Sequence, residues 1–578
     1  MTARPAILLT TLLVSLFILG CTGANLRNVV GSDSSRPSSP DSAEESAQSD
    51  AYAPHEAYNF GGSAGADLDE APAEEELRSL GYTSDGSIQY NPPSSSPPGT
   101  PSYVPPSPPP SPPPGTGWPP PEPPRYDTTY YEDYGTNQFI PTEYQDTSTF
   151  GMDVDTASYA IARRYLMDGN MPDPSSVRVE EFINYFHQDY PHPRGAGLFT
   201  LSIEGSESQF GYPNTHLLRI GVQARDYSIS SRPSANMVFV VDVSGSMARE
   251  DRLEQVKRSL AMLANNLKQG DRIGLVVYGS TGRTVCNMTS NHDHIVNSIN
   301  QLVPGGSTNA WQGLTLAYDM ARQNYESGKI NRIILCSDGV ANTGITDPDQ
   351  ILRNVKSDAL NGIGLTTIGF GMGNYNDVLL EKLANHGDGM YFYVDSETEA
   401  NRVFGDGATQ MLMVLASDAK IQVEFNAGLV ERYRLLGYEN RGLTEQQFRD
   451  DTVDAGEVGA SQSVTALYEL ILRPGSTVSS STSLATVRVR YEDLRTREVD
   501  EYAIPVTLGE VTQDFTGAGN DFRFTAAVAE FAEILRHSQW ANDGTLSGVL
   551  RVAQDCAVNN EQREFCDLVM RAIRLEDR

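Results

Sequence analysis

Residues 237–247 read MVFVVDVSGSM, a short apolar run that ends in a polar turn. Residues 252–267 follow as RLEQVKRSLAMLANNL, in which apolar side chains recur at the spacing of one helical face. A buried strand, a polar turn and an amphipathic helix in this order are typical of one unit of a parallel α/β sheet. The stretch therefore predicts that the chain carries an α/β domain.

The same alternation of strand and helix continues to about Leu415. Apolar strand-like runs lie at 272–280, 332–339 and 365–373, and amphipathic helical runs separate them. This order predicts a doubly wound, mainly parallel sheet, which we assign to residues 233–417.

On both sides of this domain the apolar residues recur with a period of two, as in strands. LFTLSIEGSESQF at 198–210 and HLLRIGVQAR at 216–225 precede the domain, and further strand-like runs follow Asp418. Because about two dozen residues of strand cannot form a stable sheet alone, we expect the two sets to join in one β-sandwich-like accessory domain. The α/β domain is then inserted between its two parts, 126–232 (helices, then strands) and 418–578 (strands, then helices).

The N-terminal accessory part is predicted to begin with helices at 157–169 and 177–186, where apolar residues recur at helical spacing. Asp155 and Thr156 have the residue types of a helix start. Asp153 and Asp155 could be metal ligands, but capping of the helix explains them more simply.

The first twenty residues predict export. Arg4 precedes the short apolar run Ala6–Leu19, which is too short for a comfortable membrane span and is typical of a signal peptide. Ile18–Cys21 resembles a bacterial lipobox, which implies that residues 1–20 are removed and that Cys21 is acylated. The alternative is an ordinary signal peptide that happens to end near Cys21. An Asp at position 22 would resemble an inner-membrane retention signal, but this residue is Thr22. We therefore expect an envelope protein anchored in the outer membrane. The sequence does not indicate which face of the membrane it occupies.

Residues 21–125 show almost no periodic apolar pattern. They are rich in Ser, Gly, Asp and Glu at first and then turn into runs such as PPSPPPSPPPGTGWPPPEPP. The first part cannot bury enough apolar area to fold, and the second favours an extended polyproline helix. We therefore predict a disordered stalk.

The formal net charge of −32 over 578 residues argues against a nucleic-acid partner and against adhesion to anionic membrane faces, because like charges repel. Export also implies an oxidising compartment. Cys286 and Cys336 fall on strands that are not neighbours in the usual order of such sheets, so a disulfide between them is not expected. Cys556 and Cys566 flank a short polar stretch between two helical runs, and a possible disulfide there would staple a helical hairpin.

Three polar segments follow strands or open helices in the α/β domain: Asp242–Ser246 (DVSGS), Gly305–Asn309 (GGSTN) and Ser337–Gly339 (SDG). In a doubly wound sheet such loops converge at the carboxyl ends of the strands. Gly245 allows the first turn to fold tightly.

The segments offer five oxygen donors and no soft ligand: Asp242, Ser244, Ser246, Thr308 and Asp338. Such a set selects a hard cation, Mg²⁺ in preference to Ca²⁺ or Mn²⁺, because five side chains suit a small octahedral ion. Only two of the donors are carboxylates, and if they act partly through water the ion keeps unneutralised charge and at least one replaceable water. An Asp or Glu of a partner protein could enter that position.

DVSGS, GGSTN and ILCSDG, in this order and spacing, closely resemble the metal ion-dependent adhesion site of von Willebrand factor A (vWA) domains. The resemblance covers about 180 residues and places the five donors on the family's metal-binding positions. The flanking regions resemble the N-terminal region and the C-terminal accessory domain of unknown function of bacterial vWA lipoproteins. The resemblance implies an envelope protein that binds partners through Mg²⁺ and is not an enzyme.

Two alternatives remain open at this point. In a hydrolase, Ser244 or Ser246 would be the nucleophile, or the ion would activate water, but a nucleophilic Ser needs a base and the chain has only eight His. In a purely structural envelope component, the metal would only stabilise the loops. A DxSxS motif alone could also be an Asp and Ser that cap the following helix.

Overall fold

The computed structural model describes residues 131–195, 197–212, 214–339, 348–371, 376–475, 479–541 and 544–576. The predicted signal peptide, the predicted lipidation site Cys21 and the predicted stalk lie outside the described residues.

The strands of the described residues, in chain order, are β1 (Ile140–Pro141), β2 (Thr147–Gly151), β3 (Phe199–Glu207), β4 (His216–Ala224), β5 (Ala235–Asp242), β6 (Arg272–Tyr278), β7 (Gly282–Thr289), β8 (Ile330–Ser337), β9 (Gly364–Phe370), β10 (Tyr391–Val394), β11 (Val414–Phe425), β12 (Val430–Leu436), β13 (Gly442–Leu443), β14 (Gly456–Gly459), β15 (Ser463–Leu472), β16 (Ser483–Asp493) and β17 (Glu498–Thr507).

The α-helices of the same residues are α1 (Ala157–Met167), α2 (Val179–Tyr185), α3 (Arg252–Asn265), α4 (His292–Asn300), α5 (Ala310–Gln323), α6 (Pro348–Leu360), α7 (Asp377–Asn385), α8 (Glu397–Asn401), α9 (Ala408–Leu412), α10 (Asn520–Leu535), α11 (Leu546–Cys556) and α12 (Asn560–Glu576).

The α/β domain is built on a six-stranded sheet in the order β10-β9-β8-β5-β6-β7, in which only the edge strand β7 is antiparallel. The central strand β5 is buried along its whole length, because helices cover both faces. Its Phe239 packs in one core with Leu260 of α3, whereas Val240 packs in another with Leu314 of α5. The predicted doubly wound, mainly parallel sheet is confirmed.

The accessory domain is a sandwich of two antiparallel sheets, β1-β12-β15-β4-β3 and β13-β2-β11-β16-β17, with β14 added on β11. Phe425 of one sheet stacks on Tyr433 of the other at a centroid distance of 4.4 Å. Strand β4, which precedes the α/β domain, pairs with β15, which follows it. The insertion of the α/β domain between two parts of one β-sandwich is therefore confirmed.

At the end of the α/β domain, the sequence pattern predicts one helix through residues 398–415 (TEANRVFGDGATQMLMVL), and the structure differs. Instead, a π-helical turn at Arg402–Asp406 separates α8 from α9, and β11 begins at Val414. Gly405 lies within this turn and Gly407 directly follows it, and glycine disfavours a continuous α-helix. The boundary that we predicted at 417 falls inside β11.

Helices α10, α11 and α12 form a second core with α1 and α2, in which the rings of Phe186, Phe524 and Phe565 contact one another at centroid distances of 5.1–5.6 Å. Cys556 and Cys566, between which the sequence suggests a possible disulfide, are both free cysteines buried in that core. Among the described helices, none combines the length and the apolar character needed to cross a membrane.

The capping role predicted for Asp153 and Asp155 is also wrong. Helix α1 begins after Thr156 with no side-chain cap. Asp155 accepts a hydrogen bond from the amide of Tyr391 at 2.9 Å, and Arg441 lies 3.2 Å from Asp153 and 3.6 Å from Asp155. Both carboxylates are buried, and Asp155 helps to join the accessory domain to the α/β domain through its bond to Tyr391.

Candidate metal site

The site lies at the carboxyl edge of the parallel sheet. Strand β5 ends at Asp242 and its neighbour β8 ends at Ser337, in a register that pairs Val241 with Cys336. Since the strands run in the same direction, the residues that follow them leave the sheet side by side. This placement brings Asp338 to the turn that follows Asp242.

Hydrogen bonds join four of the five predicted donors. Oδ1 of Asp242 accepts from the amide of Ser244 at 2.8 Å, and the hydroxyls of Ser244 and Ser246 lie 2.9 Å apart. Ser246 donates to Oδ1 of Asp338 at 3.0 Å. Two carboxylates and two hydroxyls from separate loops thus face one small volume.

The loop that carries Thr308 is bonded to the same turn. The amide of Gly245 donates to the carbonyl of Gly306 at 2.9 Å, and the amide of Gly305 donates to the carbonyl of Val243 at 2.7 Å. Gly306 has a φ of +91°, and a Cβ there would lie 2.6 Å from Oγ of Ser280, so the loop requires glycine. The structure therefore brings the three sequence segments together.

Two neighbours of the donors were not expected from the sequence. The hydroxyl of Ser337 lies 3.1 Å from Oδ2 of Asp242, and Nη1 of Arg252 lies 2.7 Å from Oδ2 of Asp338. Ser337 could have been found, because it stands next to Asp338 in a motif already selected. Nothing in the pattern singles out Arg252, the first residue of α3, because an Arg at a helix start normally belongs to the surface.

The electrostatics of the site favour a cation. Asp242 is fully buried, and burial together with the nearby Asp338 raises its pKa to about 7. Arg252 forms an ion pair with Asp338. One arginine beside two buried carboxylates leaves negative charge in a buried place, which a divalent ion can neutralise.

The donor set fits a small hard cation. It contains only two carboxylates, and its other members are hydroxyls of Ser and Thr. Across the described ranges, no group of three or more His, Cys, Asp or Glu side chains is placed to hold a metal ion. The described parts of these loops therefore do not form a metal site of three or more such side chains. The metal-binding role of the five residues stays a prediction.

The capping alternative for the motif does not hold. Ser244 precedes a 3₁₀ turn at Gly245–Asp251 without capping it through its side chain, and α3 begins only at Arg252. The hydroxyls of Ser244 and Ser246 bond to each other and to Asp338, and no histidine of the described segments bonds to either serine.

Three known families match consecutive parts of the chain. Residues 125–219 match the family described as von Willebrand factor, residues 236–406 match the von Willebrand factor type A domain, and residues 410–575 match "Uncharacterized protein YfbK, C-terminal".

Among curated proteins, the chain is similar to "Uncharacterized protein YfbK" of Escherichia coli strain K12, with 34% identity over 474 residues, 78% of this chain and 81% of that protein. It is also similar to inter-alpha-trypsin inhibitor heavy chain H1 of Sus scrofa, with 32% identity over 175 residues, but this covers 28% of this chain and only 19% of the heavy chain. Of solved structures, von Willebrand factor type A from Catenulispora acidiphila covers 64% of this chain (88% of that chain) with 15% identity and a TM-score of 0.41.

Proposed function

The chain belongs to the family of vWA-domain proteins that includes YfbK of Escherichia coli, and we propose that it is a non-enzymatic envelope protein whose vWA domain holds a partner protein through a bound divalent cation. One observation carries the proposal: the hydrogen-bonded series of Asp242, Ser244, Ser246 and Asp338 at the carboxyl edge of the sheet.

The residues that would hold the ion are Asp242, Ser244, Ser246, Thr308 and Asp338. Mg²⁺ is the preferred ion, with Ca²⁺ and Mn²⁺ as alternatives, because all donors are oxygens and they are few. When bound, the ion supplies a positive charge and a position that an outside oxygen ligand can take.

The protein's own residues limit how much of that charge is cancelled. One oxygen of Asp338 is engaged by Arg252, and one oxygen of Asp242 is close to the Ser337 hydroxyl. The three remaining donors are neutral hydroxyls. A carboxylate on the partner, from Asp or Glu, would therefore complete the neutralisation.

The same hydrogen bonds speak against the hydrolase alternative. A nucleophilic serine requires a base that accepts its proton. Ser246 instead donates to Asp338, whose other oxygen is held by Arg252. This arrangement collects oxygen donors toward one point and does not pair a serine with a histidine.

Lipid anchoring forms the second part of the proposal. The short apolar run Ala6–Leu19 and the lipobox-like Ile18–Cys21 support acylation of Cys21, with the outer membrane as the preferred location. The long Pro-rich segment would then separate the ordered part of the chain from the lipid.

A pull-down from envelope extract tests the binding function. The full chain, its Asp242→Ala variant and the control Asp293→Ala, whose carboxylate is exposed and lies beside His292, are compared in Mg²⁺ and in EDTA. We expect a partner that is retained only in Mg²⁺ and is lost with Asp242→Ala. A partner retained equally in EDTA and by Asp242→Ala would mean that any metal is structural only.

A further inference from the structure

A charged cavity lies away from the metal site, where the start of the described chain meets α2 and the turn at Glu439–Arg441. Its volume is about 200 Å³. The mouth includes the exposed residues Asp133, Gly135 and Pro174. Its lining includes four acids, two arginines and two neutral polar residues: Glu132, Asp133, Glu180, Glu439, Arg178, Arg536, Thr136 and Asn440.

Glu180 is the unusual member of this cavity. Its side chain is fully buried, and neither of its carboxylate oxygens has a hydrogen-bond partner among the described residues. Oδ1 of Asn440 is also buried without a partner there. Buried acceptors are nearly always satisfied in native proteins, so three unsatisfied oxygens lining one cavity point to a missing donor.

Charge indicates the kind of donor. Four carboxylates line the cavity against two arginines. Burial, together with the charges of Glu439, Asp153 and Glu181, raises the pKa of Glu180 to about 8. A positive charge placed beside Glu180 would relieve that accumulation.

The two arginines are committed to other carboxylates. Nη1 of Arg178 lies 2.8 Å from Asp377, and Arg178 also pairs with Glu181. Nη1 of Arg536 lies 3.0 Å from Glu439, and Arg536 also pairs with Glu533. An anion would therefore meet excess negative charge here. Nη2 of Arg178 has no acceptor among the described residues.

We propose that this cavity binds a primary alkylammonium group, with Glu180 as its charge partner and Oδ1 of Asn440 as a second acceptor. The volume is below the range of drug-sized sites and suits one amino group on a short aliphatic chain. The group can come from a free small amine or from the side chain of a lysine in a protein. A metal ion fits less well, because no acid-rich metal cluster occurs in the described parts of the chain.

Ligand-observed NMR titrations of the full chain test the proposal. The probes are n-butylamine, the tripeptide acetyl-Gly-Lys-Gly-amide and, as a neutral molecule of the same length, n-butanol. We expect saturable binding of an amine in the millimolar range and none of butanol. If the peptide binds at least as tightly as butylamine, the source is a lysine side chain, and if only butylamine binds, it is a free amine.

Two variants locate the binding. Glu180→Gln keeps the shape and removes the charge, so we expect it to weaken amine binding by about tenfold or more. Glu431→Gln, on β12 and partly exposed, is the matched control and should bind as the unaltered chain does. Should Glu180→Gln fail to fold, Thr136→Trp decides, because it fills the cavity while every buried carboxylate keeps its identity, and it should abolish binding.

The proposal is overturned if neither amine saturates, if butanol binds as well as butylamine, or if the deciding variant binds like the control.

Discussion

The ion pairs of Arg178 connect the accessory domain to the vWA domain and give the sharpest prediction about stability. Arg178 precedes α2 and is 5% exposed. It pairs with Glu181 of α2, and its Nη1 lies 2.8 Å from Asp377 and 3.6 Å from Glu381 of α7. Replacing it by Met keeps most of the volume and removes the charge.

Removing one partner of a buried pair typically costs about 3–5 kcal/mol, because the other charge stays buried and unpaired. Arg178→Met leaves three carboxylates in that position. We therefore expect the free energy of unfolding to fall by about 3–5 kcal/mol at pH 8. The measurement is urea unfolding of the full chain followed by circular dichroism.

The loss should depend on pH in a defined direction. Burial raises the pKa of Glu181 to about 7, although the nearby Arg178 lowers it, so without Arg178 this pKa rises further. A carboxyl whose folded pKa is raised favours the folded state below its unfolded pKa, about 4.3, and this advantage is lost as the pH rises through the folded value. Arg178→Met should therefore cost less at pH 5.5 than at pH 8.

Arg449→Met is the control, because Arg449 forms an exposed ion pair with Glu501 at 2.7 Å and such pairs contribute about 0–1 kcal/mol. A loss at Arg178 no larger than at Arg449, or a loss equal at both pH values, would refute this reasoning.

Three further predictions concern the metal site, a buried acid and the anchor. Arg252→Gln should lower the melting temperature in EDTA, because it removes the partner of Asp338. Adding Mg²⁺ should then raise the melting temperature of this variant by more than that of the unaltered chain. Equal rises in the two proteins would contradict this prediction. Burial and the charges of Glu533 and Glu469 raise the pKa of Glu530 to about 8, so stability is lost as the pH rises from about 4.3 through 8. Glu530→Gln should therefore be more stable than the unaltered chain at pH 8.5, by on the order of 1–3 kcal/mol in urea unfolding, with no gain near pH 4.5. Cys21→Ser should move the protein from the membrane fraction to the soluble fraction, and an unchanged fractionation would rule out this anchor.

The α/β sheet and the meeting of its three loops could be predicted from the sequence for a physical reason. Burial of β5 on both faces requires a continuous apolar run, and parallel strands place the residues that follow them at one edge. Asp242 and Asp338 could therefore be placed together although 96 positions separate them (338 − 242). The insertion into the sandwich followed from strands too few to form a sheet alone.

The charged junction between the domains could not be predicted in the same way. Asp153, Asp155 and Glu180 are acids near helix starts, where a sequence pattern indicates solvent or capping. The burial of Asp153 and Asp155 depends on Arg441, which lies 288 and 286 positions away along the chain (441 − 153 and 441 − 155). Local periodicity carries no information on such distant pairing. The break at Arg402–Asp406 could not be predicted either, because apolar residues continue through it at helical spacing.

Calorimetric titration of the full chain with Mg²⁺ measures most directly whether the five oxygen donors form a metal site. We predict one saturable site that is abolished by Asp242→Ala and unchanged by Asp293→Ala. No saturable Mg²⁺ binding by the unaltered chain, or equal binding by Asp242→Ala, would contradict the account.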